Sequence, residues 1–259
     1  LHKAGCFVIP NPWDVGSARF LQSLGFKALA TTSSGFAWSQ GQPDGGSSRD
    51  QVLAHLHQLA AATDLPLNAD FESGYASDAA GVAESVRLAV DTGIAGLSIE
   101  DSTGDPAKPL YDLATALERL RAARKAIDKA GGDVLLVGRA ENFLVGRPDL
   151  DDTIARLKAY SQAGADCLYA PGIATPDQIR AIVTAVAPKP VNLLVGSASK
   201  LTVQAISSLG VRRISVGGAL ARSAWAAFMR TARSLAEQGQ FDAFSDAASG
   251  RELNSFFGK

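Results

Sequence analysis

"DTGIAGLSIE", residues 91–100, holds the decisive pattern of the chain in ten positions. Gly93 ends an amphipathic run, where a glycine suits the left-handed residue that closes a helix. The apolar run that follows has the length of a buried strand, and Glu100 with Asp101 places charge at its far end. The same punctuation returns in "SLGFKAL" (23–29), "QAGADCL" (162–168) and "SLGVRRI" (208–214), through Gly25, Gly164 and Gly210. Short apolar runs ("FVIP", "ALATT", "PLNADF", "GLSIE", "VLLVGR", "CLYAP", "VNLLVG" and "RISVGG") recur at intervals of roughly 20–40 residues, with amphipathic stretches between them. Eight strands alternating with helices predict parallel pairing through βαβ units. Eight units in 259 residues match a closed (β/α)8 TIM barrel. An open doubly wound sheet is the alternative, but the first turn, "IPNPWDVGSA" (9–18), lacks its GxGxxG fingerprint. No linker or low-complexity segment interrupts the chain, so residues 1–259 read as one barrel domain, with 223–259 as a C-terminal helical extension.

Composition narrows the function. With 25 basic and 26 acidic side chains and a net charge of -1, nothing invites nucleic acid or an anionic membrane surface. No apolar run approaches the roughly 18 residues that span a bilayer. The first residue is Leu1, so the natural N-terminus is expected upstream. Cys6 and Cys167 lie inside strand-like runs and read as buried thiols, with the cytoplasm as the expected location. His55 and His57 follow Ser48 and Gln51, a capping box. The stripe of that helix is read as Val52, Leu56, Leu59 and Ala60, which leaves both histidines off it and histidine outside the chemistry. A second cap, Thr175-Pro176 with Gln178, opens a later helix.

A barrel does its chemistry at the C-terminal ends of its strands. In strand order those ends offer Asn11, Trp13 and Asp14; "TTSSGF" (31–36); Asp70 and Glu72; Glu100 and Asp101; Arg139, Glu141 and Asn142; Asn192; and Gly217-Gly218. In "PLNADFESGY" (66–75), Asp70 and Glu72 are two apart, which on a strand means one face. Two such carboxylates cost several kcal/mol unless a positive charge joins them. A converging carboxylate set without histidine or thiol points to a hard ion, Mg²⁺ or Mn²⁺; a structural ion-pair cluster around Arg139 is the alternative. A Schiff-base aldolase is excluded by the want of a lysine at a strand end, since Lys27 and Lys189 precede their strands and Lys108 lies in a loop. A glycosidase would add more aromatics than Trp13, Phe36 and Trp38. "TTSSGF" offers amides that suit a carboxylate or oxyanion, or is a tight turn. "SVGGAL" (215–220) reads as a phosphate loop or a sharp turn.

Over nearly its whole length the chain resembles the isocitrate lyase / phosphoenolpyruvate mutase superfamily. The resemblance rests on "SARFLQSLGFKALATTSSG", "GQPD", "PLNADFESGY", "SIED", "VGRAENF" and "AYSQAGADCLYAP", in that order and spacing. It implies Mg²⁺ and an enolate-like intermediate of a 2-oxo acid, with Asp70 as the direct metal ligand and Asp44, Glu72 and Glu100 holding the metal's waters. It also implies that Ser34, Gly35 and Phe36 cradle the substrate carboxylate and that Arg139 bridges the carboxylate or oxyanion. Trp13, Asp14, Asp44 and Asn192 complete the expected substrate contacts, and Arg139, Asp44 and Glu141 the expected catalytic groups. Relatives exchange a C-terminal helix between subunits, which implies a homotetramer with Leu253, Phe256 and Phe257 packed on a neighbouring chain.

Departures from the family matter as much. The lyase branch carries a KKCGH-type loop where this chain reads "EDSTGDPAKPLYD" (100–112), and a glutamate where this chain has Pro171. The expected activity is a lyase that breaks a C–C bond in a small 2-hydroxy or 2-oxo di- or tricarboxylate such as oxaloacetate or 2-oxoglutarate. A phosphoenolpyruvate mutase or phosphonopyruvate hydrolase, with Lys108 in its loop, and a barrel that only binds 2-oxo acids are the alternatives.

Overall fold

The computed structural model of the chain describes residues 1–131 and 133–258. Eight short strands, β1 (Phe7–Ile9), β2 (Leu29–Ala30), β3 (Leu67–Asp70), β4 (Gly96–Glu100), β5 (Leu135–Arg139), β6 (Cys167–Tyr169), β7 (Val191–Leu194) and β8 (Arg213–Ser215), form one sheet in the order β1-β8-β7-β6-β5-β4-β3-β2. Every pairing in it is parallel. The Ala30 N–H donates to the Pro10 carbonyl at 3.0 Å, which brings the two end strands together. The sheet is a nearly closed barrel, the (β/α)8 architecture that the spacing of apolar runs predicts.

Helices α1 (Val15–Ser23), α2 (Ser33–Ser39), α3 (Arg49–Ala62), α4 (Ala79–Val90), α5 (Leu113–Ala130), α6 (Leu150–Gln162), α7 (Pro176–Val186) and α8 (Val203–Ser208) surround it. Gly25, Gly93, Gly164 and Gly210 have φ of 81°, 89°, 105° and 93°, the left-handed closing residues that the punctuation predicts. The capping boxes of Ser48–Gln51 and Thr175–Gln178 form, each cap worth about 1 kcal/mol. Strand residues alternate: Leu97, Leu136 and Leu168 join the cluster under the helices, while Val137, Cys167 and Tyr169 pack together inside the barrel. Each fully buried leucine contributes about 1.5–3 kcal/mol.

One helix face differs from the expectation. His55 is buried beside Val52, Leu56 and Leu59, and its ring stacks on Phe36 with centroids 4.0 Å apart. The i, i+3, i+4, i+7 stripe therefore includes the histidine; its polarity hid it. Cys167 is a buried free thiol as expected, and Cys6, also free, is half-buried.

The chain divides into two compact units, Leu1–Gly218 and Ala219–Lys259, so the helical extension begins ahead of residue 223. The second unit holds α9 (Ala219–Gln238), a 3₁₀ turn at Asp242–Asp246 and α10 (Gly250–Phe257). Among the described residues, no helix is long and apolar enough to cross a membrane.

Candidate active site

At the C-terminal ends of the strands Arg139 gathers three carboxylates. Its Nη1 lies 3.0 Å from Asp70 Oδ1 and 3.2 Å from Glu100 Oε2, and its Nε donates to Glu141. The guanidinium also stands over the Tyr169 ring, 5.2 Å from its centroid. Burial works against that charge, but Glu141 and Glu100 outweigh it and hold Arg139 well above its ordinary range. Burial also pushes the Tyr169 phenol up to about 12.

Asp70 is fixed from three sides. Its own N–H donates to Thr31 Oγ1 at 2.8 Å. Ser33 donates to Asp70 Oδ2 from both its N–H (3.0 Å) and its hydroxyl (2.9 Å). "TTSSGF" is thus the start of a helix: Thr32 caps α2, accepting from Gly35 N–H. Thr31 to Ser34 line a cavity of about 190 Å³ together with Asp44, Asp70, Arg139 and Tyr169. Phe36 is turned away onto His55, so its side chain belongs to the core and not to the cavity wall.

The pair that opened the metal reading has a different geometry from the one expected. Strand β3 ends at Asp70, so Glu72 lies beyond it, in a turn with φ of 46° that only a few per cent of non-glycine residues adopt. The Tyr75 hydroxyl, from a residue that is itself left-handed at φ 53°, donates to Glu72 Oε1 at 2.8 Å. The same-face rule fails because the strand stops two residues short of Glu72. Two left-handed side chains in one turn are a form of strain concentrated at functional sites.

Other expected residues separate into tasks. Asp14, exposed, caps α1 by accepting from Ser17 N–H at 2.7 Å; neither it nor Trp13 lines the cavity. Asp101 turns toward α6, accepting from Tyr160 (2.6 Å), Arg156 (3.1 Å) and the Glu141 N–H (2.8 Å). Asn142 turns the same way, donating to Asp152. Asn11 Oδ1 accepts from Val216 N–H and Gly217 N–H, each at 2.9 Å. Two amides of "SVGGAL" are therefore spent on a side chain, and the stretch is a turn. Gly218 must stay bare: a Cβ there would stand 2.8 Å from Ser34 Oγ.

Asn192 lies deeper than a strand-end position, donating to Ser215 Oγ at 2.9 Å and accepting from Arg213 at 2.8 Å. Arg213, Asn68, Ser98 and Ser215 share the cavity wall and were not anticipated. Period-two alternation would have found two of them, since Asn68 and Ser98 precede Asp70 and Glu100 by two.

The donor set suits a hard divalent cation. Asp70, Glu100 and Glu141 share one guanidinium, and Asp44, Glu72, Glu100 and Glu141 are held above their usual range. Desolvation and then Asp70 raise Asp44, at the rim. Burial raises Glu72 against the pull of Tyr75, and burial raises Glu100 and Glu141 against the pull of Arg139. A cation would relieve that crowding. Among the described residues no three acids, cysteines or histidines converge closely enough to chelate an ion unaided. The arrangement suits an ion with few direct carboxylates and several waters.

The sequence profile of the family described as phosphoenolpyruvate phosphomutase matches residues 1–236. A crystal structure of a candidate lyase/mutase from Burkholderia cenocepacia J2315 superposes with a TM-score of 0.96 at 48% identity, covering 100% of this chain and 94% of that one. The 2-methylisocitrate lyase of Escherichia coli K12 is 33% identical over 177 residues, 65% of this chain and 58% of the relative. The oxaloacetate decarboxylase of Paraburkholderia xenovorans LB400 is 30% identical over 196 residues, 72% of this chain and 63% of the relative.

Proposed function

The chain belongs to the phosphoenolpyruvate mutase / isocitrate lyase superfamily, and from that premise we propose that it is a Mg²⁺-dependent lyase breaking a C–C bond in a small 2-oxo or 2-hydroxy di- or tricarboxylate. The observation that carries this reading is the Arg139–Asp70–Glu100–Glu141 cluster opening on a cavity walled by Ser33 and Ser34. A merely structural ion-pair cluster would balance its charges and need no cavity; this one has more carboxylates than cations beside an open space.

Asp70 would hold the ion directly through Oδ1, which accepts only from Arg139 and keeps a lone pair, while Oδ2 already accepts twice from Ser33. Asp44, Glu72 and Glu100 would hold its waters. Bound there, the ion would supply Lewis acidity to the chelated 2-oxo acid. Ser34 and the start of α2 bind the substrate carboxylate, and Arg139 donates to the oxygen on which charge develops. In a 2-oxo-4-carboxylate, the C3–C4 electron pair moves toward the C2 carbonyl and CO₂ leaves. C3 of the resulting enolate then takes a proton. Asp44, at the rim of the cavity, is the group placed to pass that proton. The similarity to an oxaloacetate decarboxylase and a 2-methylisocitrate lyase supports a carboxylate substrate. Alongside this we propose a homotetramer in which Leu253, Phe256 and Phe257 pack on a neighbouring chain.

The test is turnover of a panel of 2-oxo and 2-hydroxy acids with Mg²⁺. Release of CO₂, pyruvate or glyoxylate is the expected result. Phosphate release from phosphonopyruvate would move the assignment to P–C chemistry, and binding without any product would reduce the protein to a binding barrel.

A further inference from the structure

The barrel interior holds a cation that the proposed reaction does not use. Arg213 is 4% exposed. Its Nε donates to Asn192 Oδ1 at 2.8 Å and its Nη1 to Asn68 Oδ1 at 3.3 Å. Both partners are neutral, and among the described residues no carboxylate comes within 4.0 Å of it. Two other buried arginines contrast with it. Arg156 meets Asp101 and Asp152, and the guanidinium of Arg119 is taken up by the carbonyls of Ser73, Ala76 and Ser77. A guanidinium has five N–H donors, and Arg213 spends two of them within the chain. Burying such a charge without a counter-ion is costly, so the site is incomplete without an anion.

That anion has a defined approach. Arg213 lines the active-site cavity with Asn68, Ser98, Asn192 and Ser215. Asn68 sits two residues below Asp70 on β3, and Ser98 two below Glu100 on β4, so this layer lies about 7 Å deeper along the strands. Arg213 also borders a second cavity, about 260 Å³, which includes the residues before β3 and β4. That cavity is walled largely by Phe7, Ala28, Leu67 and Leu135, with His2 and Asp133 as its ionisable side chains besides Arg213. The polar wall of Asn68, Ser98, Asn192 and Ser215 therefore suits an anion approaching from the active-site side better than that apolar wall does.

We propose that Arg213 is the recognition point for a second, distal carboxylate of the substrate, so that preference for dicarboxylates is set inside the barrel. The inference rests on the functional reading above. With the 2-oxo acid end held at Arg139 and Ser34, the chain of a four- or five-carbon dicarboxylate runs down the barrel axis. Its far carboxylate takes the free N–H groups of Arg213, a charge-assisted pairing.

Calorimetry in Mg²⁺ with 2-oxoglutarate and 2-oxovalerate tests this, because the two differ only by a distal carboxylate in place of a methyl group. The parent should bind 2-oxoglutarate about 10–100-fold more tightly. Arg213→Gln should erase that preference, while Arg213→Lys keeps part of it. Asn68→Asp supplies an internal counter-charge at nearly constant volume, and should erase the preference even if Arg213→Gln fails to fold. A parent that binds both acids equally, or a preference that survives in Asn68→Asp and in any folded Arg213→Gln, overturns the proposal. A parent that binds neither acid defeats the functional reading itself.

Discussion

Asp70 is the side chain on which the charges of the site converge, accepting from Ser33 on one oxygen and from Arg139 on the other. Replacing it by asparagine keeps the shape and removes the charge. Asp70→Asn should therefore weaken Mg²⁺ binding by more than about tenfold, the low end of what even outer-shell changes cost, and suppress turnover with the fold retained. Equal Mg²⁺ affinity in variant and parent, by calorimetry, would remove Asp70 from the metal. Arg139→Ala should cost about 2–5 kcal/mol in 2-oxo acid binding, the penalty of stripping one member from a buried charged pair. His55 supports a prediction of another kind. Burial beneath α2 and α3 lowers its pKa from 6.5 to about 4, with Asp14 offsetting part of the effect, and its Nε2 has no hydrogen-bond partner. Above pH 6.5 the ring is neutral in folded and unfolded chains alike. Between 6.5 and about 4 the unfolded chain takes up a proton that the folded chain refuses, so stability falls as pH falls. By about pH 5 the loss from this residue reaches about 2 kcal/mol. Urea unfolding of the parent and of His55→Phe at pH 7 and pH 5 checks this, and parallel losses in the two proteins would refute it.

The segment between β4 and α5 is the element most altered from the family pattern, and it is tied to itself. Ser102 bridges Leu110 in antiparallel fashion, Thr103 N–H donates to the Pro109 carbonyl at 3.0 Å, and Tyr111 N–H donates to the Asp101 carbonyl at 2.9 Å. Asp105 accepts from Ala107 N–H. Lys108 is exposed and does not line the cavity. A hairpin that already satisfies its own backbone gains little by closing over a substrate. Lys108→Ala should lower turnover of a 2-oxo acid by less than about tenfold, below the range of a general acid or base. Loss of all activity on a phosphonate in that variant would instead give the loop the mutase role. The same element marks how far local pattern can be read. Glycines that end helices and hydroxyls that cap them are dictated by backbone geometry within four residues, so Gly93, Gly164, Ser48 and Thr175 are visible in the sequence. Glu72 is not, because whether β3 stops at Asp70 or continues depends on where Tyr75 and Phe71 pack. That no carboxylate among the described residues pairs with Arg213 is a matter of what is missing around it, and no spacing rule carries an absence.

At the scale of the whole chain, the count of apolar runs is enough for a barrel because eight parallel units of this size have few ways to bury both faces of a sheet. Assembly is harder to read, since a lone polypeptide carries only half of any interface. The second unit nonetheless exposes Trp225, Phe228, Met229, Phe241, Phe244, Leu253 and Phe257. So many large apolar side chains in forty-odd residues exceed the scattered singles of an ordinary surface. Within α10 the rings of Phe256 and Phe257 meet edge to face at 4.7 Å, and Leu253 lies one turn before Phe257. These are the positions that the superfamily resemblance assigns to a neighbouring chain. Light scattering of the parent at micromolar concentration should give a mass near four chains of 26.9 kDa each. Leu253→Asp with Phe257→Asp puts two charges where the proposed contact is apolar, and should shift the mass toward smaller species while circular dichroism keeps the helix content. If the parent is a monomer, or if the doubly charged variant stays at the parent's mass, α10 does not hold the subunits together.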